Sequence, residues 1–383
     1  MMSDPIIIIG SGFAAYQLVK SVRRLDAHIP IQIFTADDGA EYNKPDLSHV
    51  FSKRQTAADL VVKSGEAFAT EHNVQLHAHT QVERVLTQQQ QVVANGRCYP
   101  YSKLVFATGA QAFVPPMRGD GLAKVMTLNS LQEYQAAEQP LSRAQHVLVI
   151  GGGLIGVEIA LDLATSGKQV TVVEPNARLL ANLLPEFIAL PLEQQLMKHC
   201  IQLALNSRVE SVTEQGQTLA IALHDGREFV VDAVLCAAGL KANIAVAREA
   251  GLSVERGICV DHQLNTSDPH IYALGDCAQI EGRMLPYLQP IVLSANVLAK
   301  QLVGQEARLT LPPMMVKVKT PSYPIQLAGD FSPESHWQVQ LSPEGIVAKA
   351  QSPLGDFTGF VVTGEYVTQA FPLLRELSQR ANG

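Results

Sequence analysis

Apolar residues along the chain fall into short unbroken runs, each closed by glycine or a polar turn, with few long amphipathic stretches between them. Residues 5–9, PIIII, read as a strand buried on both faces, because β-branched residues follow one another without a polar alternate. Gly10-Ser11-Gly12-Phe13-Ala14-Ala15 comes next, then an amphipathic run to about Arg24 with the period of a helix. IQIFTA, residues 31–36, is a second strand. The pattern predicts a helix over 59–72 and short β segments over 74–93, around the polar turn QQQQ. LVFATG, residues 104–109, is another buried strand, and Pro115-Pro116 breaks the chain after it. A helix is expected over 127–140, with Asn129 as its cap. The clearest pattern spans 147–174: an apolar strand, Gly151-Gly152-Gly153-Leu154-Ile155-Gly156, a helix through Ser166 stopped by Gly167, the strand QVTVV, and Glu174. Beyond it come a helix over 186–200 and a β-meander over 207–231 with Asp225-Gly226 at a hairpin. VDAVLCAAGL then repeats the strand-to-glycine pattern of 104–109. Residues 266–278 are strand-like, and 290–303 is a helix with Pro290 in its first turn, where a missing N–H costs nothing. MMVKVKT alternates as a half-buried strand, and a small sheet and a helix at about 365–379 finish the chain.

Two strand–glycine–helix–strand units in one chain predict an α/β fold with two Rossmann-like dinucleotide-binding domains plus a small C-terminal α+β domain. In the first unit Gly10 permits the tight turn, Gly12 lets the backbone approach a pyrophosphate, and Ala15 keeps helix and strand close. The helix then presents free N–H groups to phosphate. An ordinary βα turn is the alternative for this motif alone. Asp37 and Asp38 are the acids placed to reach a ribose, unless both belong to a solvated turn. In the second unit Gly151, Gly153 and Gly156 repeat these roles. Glu174 follows Gly151 by 23 residues, against roughly 20 in the dinucleotide fingerprint. A carboxylate there accepts both ribose hydroxyls and repels a 2′-phosphate, which favours NADH over NADPH; Arg178, four residues on, works against that preference. Gly275-Asp276 ends a strand where a carboxylate can hold a polyol hydroxyl. Ser48 is placed to cap a short helix.

The second unit is bracketed by the matching strands 104–109 and 231–240, which implies one domain inserted into another. The expected division is 1–112 and 239–311 for the first dinucleotide-binding domain, 113–238 for the inserted NADH-binding domain, and 312–383 for a C-terminal interface domain. The net charge of -7 argues against nucleic acid as main partner. No run is long enough to span a bilayer, and MMSDPIIIIG has no basic leader, so a cytoplasmic location is expected. The five cysteines show no CxxC or CxxxxC spacing and the eleven histidines no HExxH, so neither a disulfide framework nor a metal site is expected. His77 and His79 alternate in isolation.

Taken together, GSGFAA with Asp37, FATG, GGGLIGVE with Glu174, CAAG and the stretch ending in Gly275-Asp276 resemble the two-dinucleotide flavoprotein reductases of glutathione-reductase-like fold over essentially the whole chain. Within that family, EYNKPDLSH is similar to the YxRPPLSK loop of ferredoxin and rubredoxin reductases, and VKVKTP with the short C-terminal domain to rubredoxin:NAD reductases. The resemblance implies FAD at Gly10, Gly12, Ala15, Asp37 and Asp276, with Thr108, Gly109 and Gly275 in the matching motifs. It implies NADH at Gly151, Gly153, Gly156 and Glu174, with Gly239 in the second of the two matching strands. It puts Lys44 beside the flavin, Glu158 near flavin and nicotinamide, and Lys319 near the isoalloxazine. Relatives often carry lysine where this chain has His49, commonly paired with that glutamate; Lys44 is then the remaining lysine of the loop to take the pairing.

Disulfide-reducing members of the fold need a cysteine pair beside the flavin, and no such pair is in sequence here. Electrons are therefore expected to leave the flavin directly, toward a rubredoxin-type protein. Partners of that kind are usually acidic, so a local basic rim is needed, and Lys44, Lys53 and Arg54 in one loop with Lys317 and Lys319 in another can form it. A ferredoxin reductase, an NADH oxidase or quinone reductase, and a non-enzymatic FAD- and NAD-binding sensor or scaffold are the alternatives. The oligomeric state stays open, with a monomer as the expectation.

Overall fold

The computed structural model describes residues 4–320, 323–332 and 334–381. The chain forms two compact units: residues 1–44, 58–111 and 240–311 make the first, and residues 45–57, 112–239 and 312–383 the second. The segment 45–57, expected within the first domain, belongs to the second unit.

The first unit is built on a five-stranded parallel sheet in the order Ile271–Ala273, Lys103–Phe106, Ile6–Ile9, Ile31–Phe34, Gln75–His77. Ile6, Ile7 and Ile8 are fully buried, as expected of a central strand covered on both faces. The helix Phe13–Leu25 packs against the helix Leu288–Leu302, where Ser21 Oγ donates to Asn296 Oδ1 at 2.9 Å.

The second unit repeats the plan with a parallel sheet in the order Val125–Thr127, Ala233–Cys236, His146–Ile150, Gln169–Val173, Ile201–Ala204. The helix Leu154–Thr165 follows its central strand, and the three-stranded meander Val209–Gln215, Thr218–Leu223, Glu228–Val231 forms as expected. The C-terminal part of this unit is a five-stranded antiparallel sheet whose edges are Met315–Val318 and His336–Ser342. The helix Ala370–Ala381 covers it, burying Leu373 and Leu377 on Phe360 and Val362. Trp337, the only tryptophan, meets Phe187 and Phe331 edge-on, with ring centroids 5.5 and 5.1 Å away.

Three local expectations are corrected. Residues 59–72 are not one helix: a 3-10 turn Ala58–Leu60 and a strand Val61–Lys63 precede a helix Gly65–Glu71, because Ser64 breaks the run and caps the helix, accepting from Ala67 N–H at 3.2 Å. The helix expected at 127 begins at Leu131. Ser130, rather than Asn129, is its cap, accepting from the Glu133 N–H, and the Glu133 carboxylate reaches back to the N–H of Asn129, one residue before the cap. Ser48 does not cap the helix Val50–Lys53, whose N-terminal neighbour is His49; its hydroxyl is used elsewhere.

Candidate functional site

The two glycine turns share one register. Ile9 lies opposite Phe34 and Ile150 opposite Val173, so Gly10 N–H donates to Phe34 O at 2.8 Å and Gly151 N–H to Val173 O at 2.9 Å. Both glycines have φ near +110°, and a Cβ on either would overlap a carbonyl of the neighbouring strand, Ala107 or Ala237. The following helices begin after Gly12 and Gly153, where an added Cβ meets nothing within 4 Å. Each turn therefore ends in open space in front of free helical N–H groups, the cradle a pyrophosphate requires.

In the first unit Thr35 occupies the register position that Glu174 holds in the second. The acid comes two residues later. Asp37 Oδ1 accepts from Ser11 Oγ at 2.9 Å, Thr35 Oγ1 at 2.7 Å and Gly39 N–H at 2.9 Å, which leaves its other oxygen for a ligand hydroxyl. Tyr16 donates to Gly39 O beneath it, its phenol pushed up by burial and by the Asp37, Glu41 and Asp38 carboxylates. Gly275 packs onto the helix start, where a Cβ would come 2.7 Å from Ala14 Cβ, and this brings Asp276 beside the turn. Lys44 Nζ lies 3.7 Å from Asp276 Oδ2. Thr108 is tied to Asn243 both ways: its hydroxyl donates to Asn243 O and its carbonyl accepts from Asn243 Nδ2, each at 2.8 Å. Asn243 N–H also donates to Gly109 O at 3.0 Å, so Asn243 is the residue that shapes this motif.

In the second unit Glu174 is buried. Its Oε2 accepts the Gly152 N–H at 2.6 Å, and its Oε1 accepts the Asn176 N–H and Nδ2 at 2.9 and 2.6 Å. These bonds fix the carboxylate at the mouth of the turn; Oε1 has both lone pairs engaged and Oε2 keeps one for a ligand hydroxyl. Gly156 is the tight contact, since a Cβ there would overlap the Gly151 carbonyl oxygen. Gly239 accepts from Phe113 N–H at 2.9 Å on the adjoining strand end.

The helix Leu154–Thr165 carries two buried carboxylates one turn apart. Glu158, 3% exposed, accepts from Ser48 Oγ at 2.8 Å and from the Lys319 N–H at 3.0 Å. The expected lysine partner is corrected: a serine hydroxyl and a main-chain amide take its place, and the Lys44 ammonium faces Asp276. Asp162 accepts the Phe51 N–H at 2.7 Å, the Ser52 N–H at 3.3 Å and the Ser52 hydroxyl. The segment 45–57 is thus pinned by two acids of one helix face, and Lys319 Nζ closes it by donating to Pro45 O at 3.0 Å. His49, within this cluster, has its pKa lowered by burial first and then by the Lys319 charge. Sequence reasoning missed Ser48, Asp162 and Asn243 as partners. Two acids four apart in LIGVEIALDLAT, an otherwise apolar helix, were the available signal for Asp162.

The basic loops expected to form a rim do meet, through the Lys319–Pro45 contact. Lys53 Nζ is 4.0 Å from Asp46 Oδ1, and Lys317 Nζ lies over the Phe371 ring at 5.8 Å. All five cysteines are free. Cys277, beside Asp276, is fully buried and donates to the Phe106 and Leu274 carbonyls at 3.5 and 3.3 Å, and burial pushes its thiol up. It is packed as a small hydrophobe, without the exposure a redox thiol needs.

Comparison with known proteins agrees with this geometry. The family of pyridine nucleotide-disulphide oxidoreductases matches residues 4–296, and the rubredoxin binding C-terminal domain matches 308–377. The chain is 99% identical over 382 residues, covering 100% of both chains, to a protein of Vibrio vulnificus (strain CMCP6) named nitric oxide reductase FlRd-NAD(+) reductase. It is 53% identical to the protein of that name from Aliivibrio fischeri, over 98% of this chain and 99% of the relative. Among solved structures, the ferredoxin reductase for the CYP199A2 system from Rhodopseudomonas palustris superposes with a TM-score of 0.89 at 25% identity, covering 98% of this chain and 96% of that one. Two glycine turns of the same register, in a match that runs from the first strand to residue 296, place the chain in one group: it belongs to the pyridine nucleotide-disulphide oxidoreductase family.

Proposed function

We propose that this protein is an NADH-dependent flavoprotein reductase that passes electrons through FAD to a rubredoxin-type acceptor, the rubredoxin centre of a nitric-oxide-reducing flavorubredoxin. The observation that carries this reading is the union, in one chain, of two glycine-turn nucleotide units with a rubredoxin-binding C-terminal domain. The first unit holds FAD: the Gly10–Gly12 turn receives the pyrophosphate with Ala15 keeping the helix close behind it, Asp37 the adenosine ribose through its free oxygen, and Asp276 the ribityl chain. The second unit holds NADH, with the Gly151–Gly153 turn on the pyrophosphate, Gly156 letting the helix pack against that turn, and Glu174 on the ribose. Held there, FAD would supply the redox chemistry that joins a two-electron donor to a one-electron acceptor. The chain contributes mostly position, which supplies roughly 7–11 kcal/mol in favourable cases. Lys44, beside Asp276 in the same unit, would contribute positive charge for the reduced ring. Glu158 holds the 45–57 loop and the Lys319 backbone rather than moving a proton. The unpaired thiols and NADH as donor fit a cytoplasmic site of action.

Stopped-flow oxidation of the NADH-reduced enzyme by a rubredoxin domain, a ferredoxin and oxygen, side by side, tests the reading. The rubredoxin domain reacts fastest; a preference for ferredoxin, or equal rates with oxygen, overturns it. Reversing Lys53 and Arg54 to Glu raises the acceptor KM several-fold, on the order of 1 kcal/mol, at low salt and leaves the NADH KM alone.

A further inference from the structure

Arg178 sits on the loop that leaves the Glu174 strand, four residues beyond it, and a guanidinium so placed is the group a 2′-phosphate would recruit. It is engaged elsewhere. Its Nε and Nη2 donate to Glu186 Oε1 at 3.0 and 2.7 Å, its Nη1 donates to Ala177 O at 3.0 Å, and Nη1 also lies 3.8 Å from Glu193 Oε2. Glu186 opens the helix Glu186–Lys198, and its side chain is 67% exposed. Glu193 is buried two turns along the same helix, and its Oε1 accepts the Leu179 N–H at 2.9 Å. Leu179 packs against Gly152, and Leu180 N–H donates to Gly152 O at 2.9 Å. One helix therefore holds both the arginine and the loop that seats on the glycine turn. Three carboxylates, at 174, 186 and 193, outnumber the single guanidinium, so the local field disfavours a dianion.

We propose that Glu186 and Glu193 are specificity-determining residues that act through Arg178: they keep the guanidinium away from the adenosine 2′ position and so preserve the preference for NADH. This rests on the reading of the second unit as the NADH domain. Glu174 supplies the direct repulsion, and the two helix carboxylates withhold the one cation able to offset it.

Calorimetric binding of 2′,5′-ADP and 5′-AMP to the FAD-loaded enzyme tests the proposal without turnover. In a Glu174→Ser background, adding Glu186→Gln tightens 2′,5′-ADP about tenfold, because a freed arginine reaches phosphate as a charge-assisted donor. Affinity for 5′-AMP stays within about twofold, since only the 2′ contact changes. Adding Arg178→Gln removes the gain. Glu186→Gln alone gives a gain of about threefold, limited by Glu174 and by the exposure of the pair. Unchanged 2′,5′-ADP affinity in the double variant, with an unchanged melting temperature, overturns the proposal, as does a gain that survives Arg178→Gln. Absence of 5′-AMP and NADH binding to the wild-type enzyme overturns the assignment of the NADH domain, and the proposal with it.

Discussion

The two nucleotide units start from one template and cover their glycine-turn helices differently. Matching Gly10 to Gly151 puts Gln17 and Ser21 of the first helix where Glu158 and Asp162 stand in the second. The first helix is covered by another helix, Leu288–Leu302, whose main chain is already satisfied, and one neutral bond from Ser21 to Asn296 completes the contact. The second is covered by the 45–57 segment, a 3-10 turn and a single helical turn with unpaired N–H groups. Those groups need acceptors, and the Asp162 carboxylate takes the Phe51 and Ser52 N–H groups, while Glu158 takes the Ser48 hydroxyl. A packed helix asks for shape, whereas a packed loop asks for charge, because a buried N–H without a partner costs about 1–3 kcal/mol.

The comparison breaks most sharply at the third small residue. Ala15 is tolerated in the first unit, but Gly156→Ala drives a methyl into the Gly151 carbonyl. It should cost about 3 kcal/mol and abolish NADH binding while FAD content stays. Ala15→Gly should cost only about 1 kcal/mol. Thermal melts with NADH titration of both variants decide; equal effects would show that the two turns are packed alike. Next in size, Asp162→Ala should lose about 2–3 kcal/mol, with hydrogen exchange at the Phe51 and Ser52 amides rising first. Ser21→Ala should lose about 1 kcal/mol, with no localised exchange. The smallest effect is at His49. Its pKa is depressed in the folded state, so the unfolded chain binds the extra proton first. Stability is full above the unfolded value of about 6.5 and is lost as pH falls from there through the folded pKa. The charges around the ring are Lys319, Lys53, Glu158 and Asp162, and the carboxylates temper the shift without reversing it. Melting temperature against pH should flatten in His49→Gln; an unchanged slope would assign the loss to other groups.

The central strands of both parallel sheets were legible in sequence because their signals are local: apolar runs such as 5–9 and 147–150, and glycines at fixed offsets from them; the edge strands Val125–Thr127 and Ile201–Ala204 were not. Glu174 was legible for the same reason, as it ends a strand. Asp37 was placed by offset alone, and only the structure shows Thr35 in the strand-end slot with Ser11 bridging to Asp37. The partners of Glu158 were not legible. Ser48 lies 110 residues away, and its hydroxyl outcompetes lysine only because the 45–57 loop folds onto the second unit. The helix misread over 59–72 failed at Ser64, where a cap residue inside a periodic run marks a start rather than an interior position.

Trp337 gives the protein a built-in optical probe. One indole in 383 residues, edge-on to Phe187 of the helix Glu186–Lys198 and to Phe331 of its own sheet region, emits from a single environment. A red shift of its emission reports the C-terminal sheet parting from that helix, and no tryptophan of the first unit adds to the signal.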